Sequence, residues 1–386
     1  MYYCFHLIIS CFLVELLSAQ SEDEVRPINP DVFIPCFKVK CYGDDLGCFR
    51  PLISGLIILF PPISICAEDP KIVNLTFHIA NRDDPSMFID TTSLSALKPG
   101  RSLAFYSHGC FGSYADKNAL YPGFGLLRHY YQVVLSDWVR GANPYVFGRM
   151  PAIINLFLCT ANCEVVGRRV ANVYAYAVQR LGISPSDIVV VGHSAGSQAT
   201  HFTSTWLQEK YNMKPYETIG LDVVSDPYIP STVLPVNRMD ASYVTAVHTT
   251  FNFPIPLISH LPAATVLKVG SPFPLSHTDL YVNGPYGVLI LQPPCGLLPY
   301  CSHFYSINVY VGSLFGCRYK SCYFNDDRTG VASSVFGKRG ALCITAPKYP
   351  LTECECESGS KTQSVEFSKV KKSHRMESVK HLNVSC

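Results

Sequence analysis

The sequence predicts an α/β fold with a mostly parallel central sheet flanked by helices, and three observations carry the prediction. Ile188–Val191 is a short, β-branched apolar run, the pattern of a strand covered on both faces. That run passes through Gly192-His193-Ser194-Ala195-Gly196 into a helix-competent segment, Gln198–Lys210, with no proline between. Elsewhere, short apolar runs alternate with helical periodicity, as strands joined by crossover helices do.

Residues 1–19 hold a short apolar core, Leu7–Leu17, ending in Leu17-Ser18-Ala19, and read as a secretory signal peptide. The core is too short to span a bilayer. Residues 20–35 are polar and Pro-containing, a loose lead-in. Residues 36–350 carry the periodic segments and form the expected folded domain. Residues 351–386 are a Cys-containing basic tail, rich in Ser and Lys and without periodicity, expected to be poorly ordered.

Within the domain, Cys41 and Cys48 are near enough in sequence to close a small loop. Ile53–Ile65 is apolar but broken by Gly55 and Pro61-Pro62, which favours a buried strand and turn over a membrane span. Strands are expected at Val73–Ile79, Leu103–Tyr106, Gln132–Leu135, Glu217–Leu221 and Tyr243–His248. Val166, Val170, Val173, Ala177 and Leu181 recur three to four residues apart, one face of a helix over Glu164–Leu181 that Gly182 and Pro185 end.

The 386 residues suffice for a sizeable core, and a net charge of +2 gives no reason to expect nucleic acid as a partner. Of 17 cysteines, Cys4 and Cys11 leave with the signal peptide, and the remainder is a density that points to an oxidising compartment. Their number is odd, so at least one thiol is free or bonded to another molecule. Asn74-Leu75-Thr76 and Asn383-Val384-Ser385 are glycosylation sequons consistent with secretion.

The segment Gly192–Gly196 fits a nucleophile elbow, in which two glycines let the backbone turn sharply and expose Ser194. Such a serine is inert until a histidine takes its proton and a carboxylate orients that histidine, and here the partners follow in the order Ser, acid, His. Asp222 stands directly after the apolar Ile219-Gly220-Leu221 and is favoured over Asp226. The histidines beyond it are His248, His260, His277, His303, His374 and His381. His374 and His381 lie in the tail, His248 ends a strand early in the order, and His303 opens a helical segment after a cysteine-bracketed loop. The residues alone do not choose among those in the domain.

Several motifs together resemble the pancreatic-lipase family in order and rough spacing. They are Lys40-Cys41-Tyr42 with Leu46-Gly47-Cys48-Phe49, Ser107-His108-Gly109, Asp137-Trp138, Val165-Val166-Gly167, the elbow, Gly220-Leu221-Asp222, Asp279–Gly284 with Cys295 downstream, and Cys301-Ser302-His303. The resemblance runs from Cys41 to Cys343. It implies an extracellular α/β-hydrolase domain over residues 36–350 that cleaves carboxylic esters of lipids, with a lipid substrate at a membrane or lipid interface as partner. Ser194 is then the nucleophile, His303 the base, Asp222 the orienting acid, and the backbone N–H groups of Cys110 and Ala195 the oxyanion hole. Cys110 stands where the family usually places a large apolar residue.

The departures bear on the substrate. Cys295 and Cys301 match the cysteines that bracket the family's lid, but only Gly-Leu-Leu-Pro-Tyr lies between them. Such a loop reaches at most about 17 Å and cannot cover a long acyl groove. A stub of this kind resembles venom phospholipases A1, so a phospholipase A1-like activity is expected. The alternatives are a triacylglycerol or galactolipid lipase, and a catalytically silent, yolk-protein-like lipid carrier. Too few residues follow His303 for the C-terminal β-sandwich of the family, which takes roughly a hundred; colipase is therefore not expected as a partner. The calcium loop is represented by Arg238-Met239-Asp240, but Pro235 replaces a usual glutamate, too few oxygen ligands remain, and no cofactor is expected. Ser197-Gln198 after the elbow also departs from the family.

Disulfides are expected between Cys41 and Cys48, Cys295 and Cys301, and Cys322 and Cys343, with Cys317 competing for the last. Cys159 with Cys163 and Cys36 with Cys66 complete the expected set, leaving Cys354, Cys356 and Cys386 unassigned. In the tail, a solvated basic segment is favoured over a lipid-surface patch.

Overall fold

The computed structural model describes residues 38–54, 63–91, 94–143, 152–224, 235–250, 270–271, 273–284, 292–295, 299–322, 328–329, 340–348, 350, 370–372 and 375–377. The expected signal peptide, lead-in, Asp226, the Asn383 sequon and most of the tail lie outside them. Of the tail, a short antiparallel pair, Val370–Lys372 with Arg375–Glu377, is described.

One sheet organises the chain. Its strands are β1 (Thr76–Asn81), β2 (Asp84–Thr91), β3 (Leu103–Ser107), β4 (Gln132–Asp137), β5 (Ile188–His193), β6 (Glu217–Leu221), β7 (Tyr243–His248), β8 (Thr278–Val282), β9 (Tyr319–Ser321), β10 (Arg328–Thr329) and β11 (Gly340–Thr345). Their spatial order is β10-β9-β11-β8-β7-β6-β5-β3-β4-β1-β2. From β11 to β4 every pairing is parallel, and antiparallel strands finish both ends. Helices α1 (Lys117–Leu126), α2 (Ala152–Leu181), α3 (Ala195–Tyr211) and α4 (Pro299–Leu314) cover the faces.

Successive strand residues point to opposite faces, and here both faces are buried. On one side Phe105 and Val190 pack with Val166, Val170, Tyr174 and Phe202 of α2 and α3. On the other, Tyr106, Val189 and Val191 pack with Leu120 of α1 and Tyr310 and Leu314 of α4. This explains why β5 reads as an unbroken apolar run.

Helix α2 begins twelve residues before the expected Glu164. Residues 157–163 in its first turns are all buried, Thr160 and Asn162 included, so no amphipathic stripe announces them. Ile53–Ile65 resolves into an antiparallel pair, Leu52–Ser54 with Ile63–Ile65. Asn74 stands exposed in the left-handed region (φ 50°), ending a helical turn at Pro70–Val73 ahead of β1. Among the described residues no helix is long and apolar enough to cross a membrane.

The loop closed by Cys41–Cys48 docks on the α2–α3 pair through Arg168. That guanidinium lies 4.1 and 4.2 Å from the ring centroids of Phe49 and Trp206. It also donates to the carbonyls of Leu46 and Cys48 and to Glu164.

Helices α2 and α3 meet at Gly167, where a β-carbon would come within 2.5 Å of both the Ala199 carbonyl oxygen and Phe202 Cβ. Gly167→Ala is therefore expected to force the helices apart and lower stability by about 1–3 kcal/mol. Denaturant unfolding measures it, and an unchanged midpoint would show that this contact yields freely.

Candidate active site

The end of β5 brings the chain to Ser194 with φ 56° and ψ −126°, a conformation unfavourable for a residue with a side chain. Two glycines make it possible. A β-carbon on Gly192 would lie 2.2 Å from the Gly196 carbonyl oxygen, and one on Gly196 would lie 2.1 Å from that of Ser107. The Ser194 N–H donates to Leu221 O at 2.9 Å, and Ser197, buried in the first turn of α3, donates its hydroxyl to the Ser194 carbonyl. Ser197, odd as a sequence feature, thus braces the elbow.

Asp222 follows β6 with φ 47° and is fully buried. Its Oδ1 accepts from the amides of Thr249 (2.8 Å) and Thr250 (3.0 Å), and its Oδ2 from Thr250 Oγ1 (2.5 Å) and His303 Nδ1 (2.6 Å). Burial alone would raise its pKa; the hydrogen bond and charge of His303 and the two threonines outweigh it and hold the carboxyl below its ordinary range. Neither threonine was singled out by sequence, although both follow directly on β7.

His303 sits in the first turns of α4, buried beside His193, with ring centroids 4.6 Å apart. Burial lowers the His193 pKa to about 3, so this ring is neutral and its Nε2–H donates to the His303 carbonyl at 3.2 Å. With Nδ1 committed to Asp222, Nε2 of His303 is the nitrogen left for Ser194. Among the described residues no hydrogen bond joins Ser194 Oγ to that nitrogen; His193, which precedes Ser194, is the neighbour they share. Such bonds are often long in a free site and tighten with substrate.

The other histidines have other partners. His248 Nε2 lies 2.9 Å from Asp279, and His277 Nδ1 accepts from Val244 N at 3.1 Å. His260, His374 and His381 lie outside the described residues.

The loop after β3 lies against the elbow so closely that a β-carbon on Gly109 would come 2.7 Å from Ser194 Cβ. His108 anchors it through Nδ1 on Gly109 O (2.9 Å) and Nε2 facing Asp137 (3.4 Å), while the Trp138 indole N–H donates to His108 O at 3.2 Å. Among the described residues, neither the Cys110 nor the Ala195 amide is claimed by a backbone carbonyl; Ala195 follows Ser194, and Cys110 follows Gly109, which lies against it. A cavity of about 250 Å³ opens beside them, lined by His108, Cys110, Phe111, Lys117, His193 and Phe304 among others.

One cysteine expectation is corrected. Cys159 bonds to Cys110, not to Cys163, and Cys163 is a free, buried thiol. The two residues share a face of α2, but the end of β3 delivers Cys110 directly over Cys159. Cys41–Cys48, Cys295–Cys301 and Cys322–Cys343 are bonded. Cys36, Cys354, Cys356 and Cys386 lie outside the described residues.

Asp240, from the segment matched to a calcium loop, accepts from His201 Nδ1 at 2.8 Å and from the Asn237 amide at 2.9 Å. Among the described residues no group of three or more His, Cys, Asp or Glu side chains forms a metal site.

Residues 153–298 match the model of the Lipase family. The chain is 28% identical over 260 residues to pancreatic triacylglycerol lipase of Oryctolagus cuniculus, covering 63% of this chain and 49% of that one. It is 27% identical over 209 residues to phospholipase A1 of Vespula squamosa, covering 53% and 62%. The chain thus spans about half to three fifths of the length of these relatives. Among solved structures, Est1E from Butyrivibrio proteoclasticus aligns over 50% of this chain and 80% of its own, with a TM-score of 0.27 and 12% identity.

Burial of neutral His193 makes folding sensitive to acid. Below its ordinary value of 6.5 the unfolded chain takes up a proton that the native ring refuses until about pH 3, so stability falls across that window. Asp222, whose native pKa lies below 3.8, adds a loss at the acid end. Melting temperature is expected to decline from pH 6.5 toward 3. His193→Phe should flatten the slope by up to about 1.4 kcal/mol per pH unit; an unchanged slope would show that His193 does not set it.

Proposed function

We propose that this chain, which belongs to the pancreatic-lipase family, is a secreted serine hydrolase of lipid carboxylic esters, phospholipase A1-like in substrate. The observation that carries this reading is the 2.6 Å bond between buried Asp222 and His303 Nδ1, whose ring lies against His193, the residue before a serine held in a strained elbow. In the proposed cycle, Ser194 Oγ attacks the ester carbonyl while Nε2 of His303 takes its proton. The Cys110 and Ala195 amides hold the oxyanion. His303 then gives the proton to the departing alcohol. Water attacks the acyl-enzyme by the same route, releasing the fatty acid. Asp222 keeps the imidazole in one tautomer and stabilises its charged form.

The phospholipid reading is supported by the short span between Cys295 and Cys301, which cannot roof a groove, and by similarity to a wasp phospholipase A1. Similarity to a pancreatic triacylglycerol lipase favours a neutral-glyceride reading. Secretion is supported by the disulfides and by the signal-like first 19 residues. No colipase and no metal enter the cycle.

Three measurements test these claims. Ser194→Ala is expected to lower turnover by several orders of magnitude; retained turnover would show the elbow to be incidental. Phosphatidylcholine should be hydrolysed faster than triolein, and the reverse order would assign the chain to the neutral-glyceride class. EDTA should leave the rate nearly unchanged, and a large loss would reveal a required divalent ion.

A further inference from the structure

The two amides assigned to the oxyanion stand on different elements, Cys110 on the loop after β3 and Ala195 at the head of α3. Both refer to one turn of α2. Cys159 in that turn, with 0% exposure, is bonded to Cys110. Four residues on, the Cys163 thiol shares its one proton between the Ala195 carbonyl, 3.1 Å away, and its own helix at Cys159 O, 3.3 Å away. Burial pushes this thiol's pKa up, so it keeps its proton and stays a donor.

The loop needs such a hold. Gly109 to Gly112 form a turn closed by the Gly112 N–H on Gly109 O at 3.3 Å, and Phe111, at its third position, has φ 61°. A positive φ at that position belongs to type II turns, where glycine is the usual occupant. A bulky residue there is strained and persists only when its surroundings over-determine it. On one side Phe111 N–H donates to Ala142 O at 3.0 Å; on the other, the Cys110–Cys159 bond ties the loop covalently to α2. Close packing at Gly167 in turn fixes α2 against α3, the helix that carries Ala195.

We propose that the Cys110–Cys159 disulfide and the Cys163 thiol make one turn of α2 the positioning element of the oxyanion hole, setting the separation and aim of the two amides. The proposal rests on the ester-hydrolase reading above. Opening the bond lets Phe111 return to negative φ and the Cys110 N–H swing away from the developing oxyanion. The two amides meet the oxygen only once it carries charge, so the loss is expected to fall on the transition state more than on substrate binding.

The test compares Cys110→Ala/Cys159→Ala with the wild-type chain on p-nitrophenyl butyrate. It also measures inhibition by a boronic acid, whose tetrahedral adduct with the serine places an oxygen in the oxyanion hole. In the double variant kcat is expected to fall at least about tenfold, KM to stay within about twofold, and boronate affinity to fall in step with kcat. Adding Phe111→Gly should restore most of the lost kcat, because glycine holds a positive φ unaided. Unchanged kcat in the folded double variant, or a rise in KM alone, overturns the proposal.

Should the double variant fail to fold, partial reduction of the wild-type chain answers the same question, with the opened cysteines identified by differential alkylation and mass spectrometry. Activity is expected to fall in step with exposure of Cys110 and Cys159; full activity with both reduced overturns the proposal. A wild-type chain inert toward every ester would overturn the functional reading and this inference together. An active wild type with an unaffected variant overturns this inference alone.

Discussion

The structure of the site depends on one backbone constraint, the positive φ of Ser194. A non-glycine residue held in that region costs on the order of 1–3 kcal/mol, and the strain is retained because three backbone segments meet there with no room for side chains. The end of β3, the end of β5 and the head of α3 close on one another through Gly192 and Gly196, whose missing β-carbons would otherwise strike carbonyl groups at 2.1–2.2 Å. Once that junction forms, the hydroxyl and the Ala195 amide are placed together, and the end of β3 brings the loop bearing Cys110 up to them.

The second demand is electrostatic. A fully buried carboxylate without partners would cost several kcal/mol, and Asp222 avoids this by accepting from two amides, a hydroxyl and an imidazole. The shelf that supplies those donors is itself tied to α4. Gln292 donates its side-chain amide to Thr249 O at 3.0 Å, and its backbone N–H to Ser302 Oγ, next to His303, at 3.3 Å. Acid and base are thus braced by one short network in addition to the bond between them. Keeping His193 neutral matters for the same reason, since a second cation against His303 would disfavour the imidazolium that proton transfer creates.

Much of the central sheet was legible because its strands are buried on both faces. Residues 188–191, 217–221 and 243–248 show as compact strand signals. β8 is not among the expected strands: Asp279 leaves only Leu280-Tyr281-Val282 as an apolar run, and the partner that lets a carboxylate be buried there, His248, is 31 residues away in sequence. The start of α2 carries no amphipathic signal, because residues 157–163 are buried on every side and include the polar Thr160 and Asn162. In the site, Ser194 and Asp222 could be proposed from local pattern, whereas nothing near His303 distinguished it from His248 or His277, and only the family resemblance singled it out. The Cys110–Cys159 bond, spanning 49 residues, was hidden because Cys159 and Cys163 look like natural partners on paper. Strand order, which sequence spacing does not encode, decides that pairing.

The site's imidazole–carboxylate pair is not alone in the chain. His303 meets Asp222 at 2.6 Å, His201 meets Asp240 at 2.8 Å and His248 meets Asp279 at 2.9 Å, all of them buried. In a proton magnetic-resonance spectrum, a strongly shielded-from-exchange imidazole N–H engaged with an acid resonates far downfield, and this molecule offers more than one source for such a line. A low-field signal is consequently a reporter of its buried pairs as a class, and tracing one line to the reactive centre takes the spectra of chains in which Asp222, Asp240 and Asp279 are replaced one at a time.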